Sequence, residues 1–298
     1  MELKKKILLF GGTGFVGSTF INYSKDTFEI FYTYNNNKIN FDKTTSYKIN
    51  LLTENKKIPS IINNFKPNII IHTVAYSSVD FCEANHELAN ELHVNATKII
   101  VDNAIKNNSK VIFLSTDAVF EGELNKKYNE SDIPKPINYY GITKLNAEKI
   151  VLEKPNNVVL RTAVVYGWHE KSRFTNWILD YLGQNKTVDP FVDQFNTPTL
   201  VDDLAKSMIK IIEKDVSGLF HATGKTCLNR YEFALKLADS FGYDKKLVLP
   251  VTSKEKKQDA PRPSSTCLDS SKLEKTINFQ FSDIEKGISF ILDKSRGL

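Results

Sequence analysis

Seven residues near the amino end, Gly11-Gly12-Thr13-Gly14-Phe15-Val16-Gly17, follow directly on the apolar run Ile7–Phe10 and open a helical pattern over Phe15–Tyr23. Gly11, Gly14 and Gly17 have a GxxGxxG spacing. Glycine lets a chain leave a strand by a sharp turn and bring its backbone against a pyrophosphate. The helix that follows then presents its unpaired N–H groups to the negative charge. A glycine motif alone is a weak signal; between a strand and a helix, at the start of an α/β pattern, it indicates a dinucleotide site. Gly11, Thr13, Gly14, Phe15, Val16 and Gly17 are the cofactor-binding candidates of this turn.

The rest of the first half continues the alternation. Glu29–Tyr34, Asn68–His72, Val111–Ser115 and Val158–Val165 read as strands; Ile58–Phe65, Ala84–Asn107 and Tyr139–Glu153 read as helices. The nearly unbroken apolar strands are of the kind buried on both faces of a parallel sheet. The predicted fold is therefore α/β, a doubly wound parallel sheet of the Rossmann type. Past Tyr166 the pattern changes. Trp168–Asn196 is mixed, Thr199–Lys214 is helical, Leu219–Ala222 is a short strand, and Asn229–Phe241 is a helix opened by Asn-x-x-Glu. Lys254–Pro263 reads as a loop, and Ser282 as the N-cap of a final helix to Lys294. The expected division assigns 1–167 and 198–224 to an NADP-binding domain. A smaller, discontinuous C-terminal substrate lobe, 168–197 and 225–298, would pack over the carboxyl ends of the strands, where open α/β sheets bind ligands.

Composition removes other classes. Of 298 residues, 41% are hydrophobic and 25% charged, enough for a large core. No run of about 18 apolar residues is present, so no membrane partner is expected. The net charge of +5 is not gathered into a basic block interleaved with aromatics, which argues against nucleic acid. Lys4-Lys5-Lys6 reads as a solubilising lead-in to the first strand and not as a signal peptide. Cys82, Cys227 and Cys267 are scattered, without CxxC spacing, which argues against a disulfide framework or a zinc site. The five histidines form no metal motif, so no metal is expected, and a reducing cytoplasm is the natural compartment.

The chemistry lies in Tyr140-Gly141-Ile142-Thr143-Lys144, a YxxxK spacing on a predicted helix. Residues four apart share a helix face, so the Lys ammonium stands near the phenol. A cation favours the phenolate and lowers a pKa that is otherwise about 10. Such a Tyr can protonate the oxygen of a carbonyl while hydride reaches its carbon. Context decides, because Tyr34…Lys38 has the same spacing in an Asn-rich loop with no helix to join the pair. Thr116, at the carboxyl end of the strand Val111–Ser115, offers a hydroxyl that could polarise the carbonyl, although such residues are usually caps. The second strand ends Tyr34-Asn35-Asn36-Asn37-Lys38, with no acid before Asp42 to bind a ribose 2′-OH. Lys38 could pair with a 2′-phosphate, so NADPH is expected in preference to NADH.

Together these stretches resemble the extended short-chain dehydrogenase/reductases, and more narrowly their dTDP-4-dehydrorhamnose reductase (RmlD-like) branch. Besides the Gly turn and Pro136–Glu148, the resemblance is carried by 75–80 (AYSSVD), Val94-Asn95, 115–122 (STDAVFEG), 161–167 (RTAVVYG), Asp193-Gln194 with 197–199 (TPT), and Pro261-Arg262-Pro263 with Leu268-Asp269. It implies a catalytic set of Thr116, Tyr140 and Lys144. It adds Asn50, Leu51, Ala75, Tyr76, Asn95, Tyr140 and Lys144 to the cofactor residues, and assigns Thr116, Asp117, Phe120, Tyr140, Gln194 and Arg262 to the substrate. Arg262 would hold the substrate diphosphate, its guanidinium fork matching phosphate oxygens on a loop kept extended by two prolines. The implied reaction is reduction of the C4 keto group of a nucleotide-linked 6-deoxy sugar, in a monomer or a homodimer. Related dehydratases follow the Thr with an Asp-Glu pair; here Ala118 follows Asp117, so the second carboxylate is missing. The chain also departs from the pattern at Val164, where a Trp near the sugar is common, at Asn50, often Asp, and at Asn196, often Gly. Two other readings stay open: an NADP-binding regulatory subunit like the β subunit of methionine adenosyltransferase, and a nucleotide-sugar epimerase.

Overall fold

The computed structural model describes residues 4–297; residues 1–3 and 298, the outer ends of the expected domain ranges, lie outside the described residues. In chain order the elements are β1 (Lys6–Phe10), α1 (Phe15–Ser24), β2 (Glu29–Tyr34), β3 (Thr44–Lys48), α2 (Ile58–Phe65), β4 (Ile69–His72), α3 (Val79–Ala84), α4 (His86–Asn90), a π-helical turn (Glu91–Asn95), α5 (Ala96–Lys106), β5 (Lys110–Thr116), β6 (Lys127–Tyr128), α6 (Tyr139–Leu152), β7 (Val158–Thr162), β8 (Val165–Tyr166) and α7 (Arg173–Gly183). The remainder are β9 (Phe195–Asn196), β10 (Thr199–Leu200), α8 (Val201–Glu213), β11 (Gly218–His221), β12 (Leu228–Asn229), α9 (Arg230–Phe241), β13 (Cys267–Leu268), α10 (Ser271–Ile277) and α11 (Ile284–Ser295).

Seven strands form one parallel sheet in the order β11-β7-β5-β4-β1-β2-β3. Side chains alternate across a strand, and β1 displays this directly. Ile7 and Leu9 enter one core with α1, α8 and α10, whereas Leu8 and Phe10 enter another with α2, α5 and α6. Helices thus cover both faces, as the apolar strands require. A third core, built by α7, α9 and α11 with Tyr166, Leu200, Val188 and Val248, lies in the second half of the chain. Among the described residues no helix is long and apolar enough to cross a membrane.

Several expectations are corrected. The single helix over Ala84–Asn107 is broken: Asn85 has φ −134° and ψ 64°, and its side chain bonds Phe81 O, separating α3 from α4. The strand Val158–Val165 is interrupted between β7 and β8, where Val164 adopts φ +42°. That backbone is strained for a β-branched residue. The first two residues of the Thr199–Lys214 helix instead pair with β8 as β10. Asp283, not Ser282, caps α11, accepting from Lys286 N at 2.8 Å, while Ser282 N donates to Asp203. Cys227 and Cys267 form a disulfide with Cα atoms 5.6 Å apart. Forty residues separate them in sequence, so spacing could not reveal a pairing that tertiary packing creates.

Candidate active site

The carboxyl ends of β1, β4, β5 and β7 open into a cavity of about 920 Å³, closed on its far side by α7, the 189–196 segment, Arg230 and the 256–266 loop. On the sheet side, α1 begins at Phe15 with Gly14 as N-cap. It has no side-chain cap and no acid in its first turn. A Cβ on Gly17 would run into Gly11 O, so the helix can lie against the turn only with glycine there. An uncapped helix end facing a cavity fits a phosphate group. Gly14, Phe15, Val16 and Ala75 line the space.

The reactive side chains come from β5 and α6. Asn138 caps α6, accepting from Gly141 N at 2.9 Å. A Cβ on Gly141 would strike Ala118 O, so glycine lets the first turn of α6 sit on the turn that follows Thr116. His93 locks this turn from the other side. Its Nε2 accepts from Tyr76 N at 2.9 Å, which leaves Nδ1 to donate to Thr143 Oγ1 at 2.8 Å, and that hydroxyl donates to Tyr140 O at 2.9 Å. Burial lowers the pKa of His93 to about 3, so the ring stays neutral. Thr116, Tyr140 and Lys144 all line the cavity.

Their electrostatics differ from the simple expectation. Lys144 is buried; its Nζ donates to Leu114 O at 2.6 Å and stands 3.9 Å from the centre of the Phe113 ring. Desolvation lowers its pKa to about 7, opposed by the charge of Glu148. Burial also drives the Tyr140 phenol above its usual range, against a lowering hydrogen bond with Thr116. Without ligand the phenol is therefore held protonated, as an acid must be before it acts. Thr116 Oγ1 accepts from Ala118 N and donates to Asp117 Oδ1, both at 3.1 Å. It caps the following turn and still faces the cavity. Asp117 is raised by desolvation, although Thr266, Thr116 and Asn196 bond its oxygens.

The other sequence-derived candidates divide. Asp117, Gln194 and Arg262 line the cavity. Arg262, however, is tied down: Nη2 bonds Asp80 Oδ2 and Nη1 bonds Ala260 O, each at 2.7 Å. Phe120 is core, stacked on Tyr128 with ring centres 4.1 Å apart. Asn50 closes a local turn through Leu52 N, and Leu51 is buried under the sheet. Tyr76 packs on Phe81, Asn95 is exposed and bonded to Glu91, and Lys38 is exposed beyond β2. Gly11, Thr13 and Gly17 shape the turn without lining the cavity. No cluster of three or more His, Cys, Asp or Glu that could hold a metal occurs among the described residues.

Arg230 escaped the sequence reading. It lines the cavity, its guanidinium lies 5.3 Å from the Phe174 ring centre, and Asp117 faces it. Desolvation lowers its pKa to about 10, leaving it a cation. Its position directly after the capping Asn229 was the available signal, but nothing in that spacing marks an active-site residue. Arg173, Phe174 and Trp177 were missed because α7 was not recognised.

A doubly wound sheet with an uncapped first helix and a Tyr–Lys pair beside the same cavity defines a dinucleotide-dependent reductase-like architecture. The RmlD substrate binding domain family model matches residues 5–296, and the chain belongs to that family. It is 32% identical over 252 residues to the dTDP-4-dehydrorhamnose reductase of Aggregatibacter actinomycetemcomitans, covering 80% of this chain and 85% of that protein. It is 34% identical over 263 residues to methionine adenosyltransferase 2 subunit beta of Mus musculus, covering 83% and 77%. In fold it is similar to the dTDP-4-dehydrorhamnose reductase of Bacillus anthracis solved with NADP, with TM-score 0.85, 24% identity and coverage of 98% and 100%.

Proposed function

We propose that the protein reduces the C4 keto group of a nucleotide-linked 6-deoxy sugar with NADPH, as a dTDP-4-dehydrorhamnose reductase does. The observation that carries this reading is the meeting of Thr116, Tyr140 and Lys144 in one cavity with the uncapped start of α1. The relatives support it. In this scheme Gly14, Phe15 and Val16 would hold the dinucleotide phosphates, and Ala75 and Lys144, which line the same cavity, would hold its ribose and ring. Bound NADPH supplies the hydride. Thr116 donates to the sugar carbonyl, Tyr140 delivers the proton to its oxygen, and the Lys144 charge stabilises the phenolate left behind. Arg230 and Gln194, which line the cavity, would meet the nucleotide diphosphate and base.

The division into a cofactor domain, 1–167 and 198–224, and a substrate lobe, 168–197 and 225–298, belongs to the same proposal. So does Lys38 as a selector of NADPH. A homodimer as the assembly belongs to it as well. The implied compartment is the cytoplasm, where a disulfide such as Cys227–Cys267 is uncommon.

The 34% identity to methionine adenosyltransferase 2 subunit beta favours a second reading, a regulatory NADP-binding subunit. Loss of NADPH absorbance with a panel of 4-keto nucleotide sugars separates the two. The proposal expects turnover with at least one member. Tight NADPH binding with no turnover on any would leave the regulatory reading.

A further inference from the structure

Tyr140, Lys144 and Glu148 follow one another at four-residue steps along α6, on one face. Glu148 is almost fully buried, directly beyond Lys144. Two neighbouring strands close on its carboxylate. Arg161 of β7 grips it with Nε at 3.0 and 3.2 Å and Nη2 at 2.7 Å, and Ser115 of β5 donates its hydroxyl to Oε1. Ser115 and Arg161 are register partners in the sheet. Consecutive residues of β5 therefore serve consecutive parts of the site: Leu114 O receives Lys144, Ser115 holds Glu148, and Thr116 faces the cavity.

We propose that Glu148, clamped by Arg161 and Ser115, is a positioning residue whose buried negative charge keeps Lys144 an ammonium ion next to Tyr140. This rests on the reading that the Tyr140–Lys144 pair handles the proton of the reaction. Glu148 is the one acidic residue of α6, and it acts on Lys144 across one helical turn without bonding it, since Lys144 Nζ donates to Leu114 O. The groups that face it from the packed elements are Cys82 on α3, His72 on β4 and His93 on the π-helical turn, with Tyr140 on its own helix. Burial holds both histidines neutral, with pKa values near 3, and pushes the Cys82 thiol up to about 11, so all three are uncharged near neutrality. Arg161 is the permanent cation of the cluster; its Nε and Nη2 bond Glu148, and its buried Nη1 has no hydrogen-bond partner. Glu148 thus supplies the negative charge that opposes desolvation of Lys144. Removing it lets the ammonium lose its proton at a lower pH, and a neutral amine cannot stabilise the phenolate.

The test reads Lys144 directly, in the full chain labelled with ¹³Cε-lysine. Its resonance is identified by its absence in Lys144→Met. In Glu148→Gln the titration midpoint should fall by about 1 unit or more. Because breaking a buried ion pair by removing one partner can unfold a protein, the paired change Glu148→Gln with Arg161→Met is made as well. It removes both buried charges together and should give a smaller shift in the same downward direction, because the opposing charge of Arg161 goes with that of Glu148. Ser115→Ala keeps the charge and should leave the midpoint near wild type. Where turnover is measurable, the alkaline limb of kcat should move to lower pH with the midpoint, while KM changes little. An unmoved Lys144 midpoint in the folded double variant overturns the proposal, as does a loss of kcat that is uniform across pH. Since the NMR titration needs no substrate, absence of turnover would count against the assigned reaction and not against this role of Glu148.

Discussion

At the scale of single residues the account depends on which polar groups are free to act. Tyr140 is held protonated by burial and stands beside Lys144, the ammonium that can stabilise its phenolate. Tyr140→Phe removes the acid and leaves the ring packed, so kcat should fall by about 10² to 10⁴. NADPH affinity, read by fluorescence titration, should stay within a few-fold; wild-type turnover would remove Tyr140 from the chemistry. The two arginines should behave differently. Arg230 turns its charge to the cavity, whereas Arg262 is bonded to Asp80 and Ala260. Arg230→Ala should raise KM for the sugar nucleotide about 10- to 100-fold, the worth of a charge-assisted hydrogen bond. Arg262→Ala should act more weakly on KM; the reverse order would restore Arg262 as the diphosphate clamp. The sequence made Tyr140, Lys144 and Thr116 readable because their spacing and strand-end position carry a mechanism. It did not make Arg230 readable, because its meaning comes from a fold that sets it opposite Thr116 and Asp117.

At the scale of elements, the strand–turn–helix at the start of the chain and the α6 helix do most of the positioning. Gly14 faces the cavity, and a Cβ built on it lies 3.1 Å from Gly11 O. Gly14→Val would therefore crowd both the turn and the phosphate space. Its NADPH dissociation constant should rise at least about tenfold, the equivalent of roughly 1.4 kcal/mol, in a protein that keeps its circular dichroism spectrum. Unchanged affinity would detach this turn from the cofactor. The buried strands β1, β4, β5 and β7 were legible because apolar runs between turns have few alternatives. β3 was not: Thr44–Lys48 is a polar edge strand, mostly exposed, with no apolar face to give a period. α7 hid its apolar stripe, Phe174, Trp177, Ile178, Tyr181 and Leu182, among aromatics of modest helix propensity. The break at Asn85 and the π-helical turn that aims His93 belong to tertiary packing, and a continuous helical period over Ala84–Asn107 conceals both.

At the scale of the whole molecule, two cores sandwich the sheet, a third underlies α7, α9 and α11, and the cavity lies between the sheet ends and the later segments. The Cys227–Cys267 bond ties the segment leading to Arg230 to the strand following Thr266, two residues that line that cavity. Its removal in Cys227→Ser should lower unfolding stability by about 2–4 kcal/mol, measured by urea denaturation without reductant. Dithiothreitol should destabilise the wild type toward the same value; equal stability of the two proteins without reductant would mean the thiols are not joined. The central claim, that this cavity carries a carbonyl of a nucleotide-linked sugar to hydride and to the Tyr140 proton, is tested most directly by isotope transfer. The protein is given dTDP-4-dehydrorhamnose with NADPH deuterated at the transferable C4 position, and the sugar product is read by mass spectrometry and NMR. One deuterium at sugar C4, absent when Tyr140→Phe is used, is the expected result. NADPH that binds but transfers no label to any 4-keto nucleotide sugar would contradict the account.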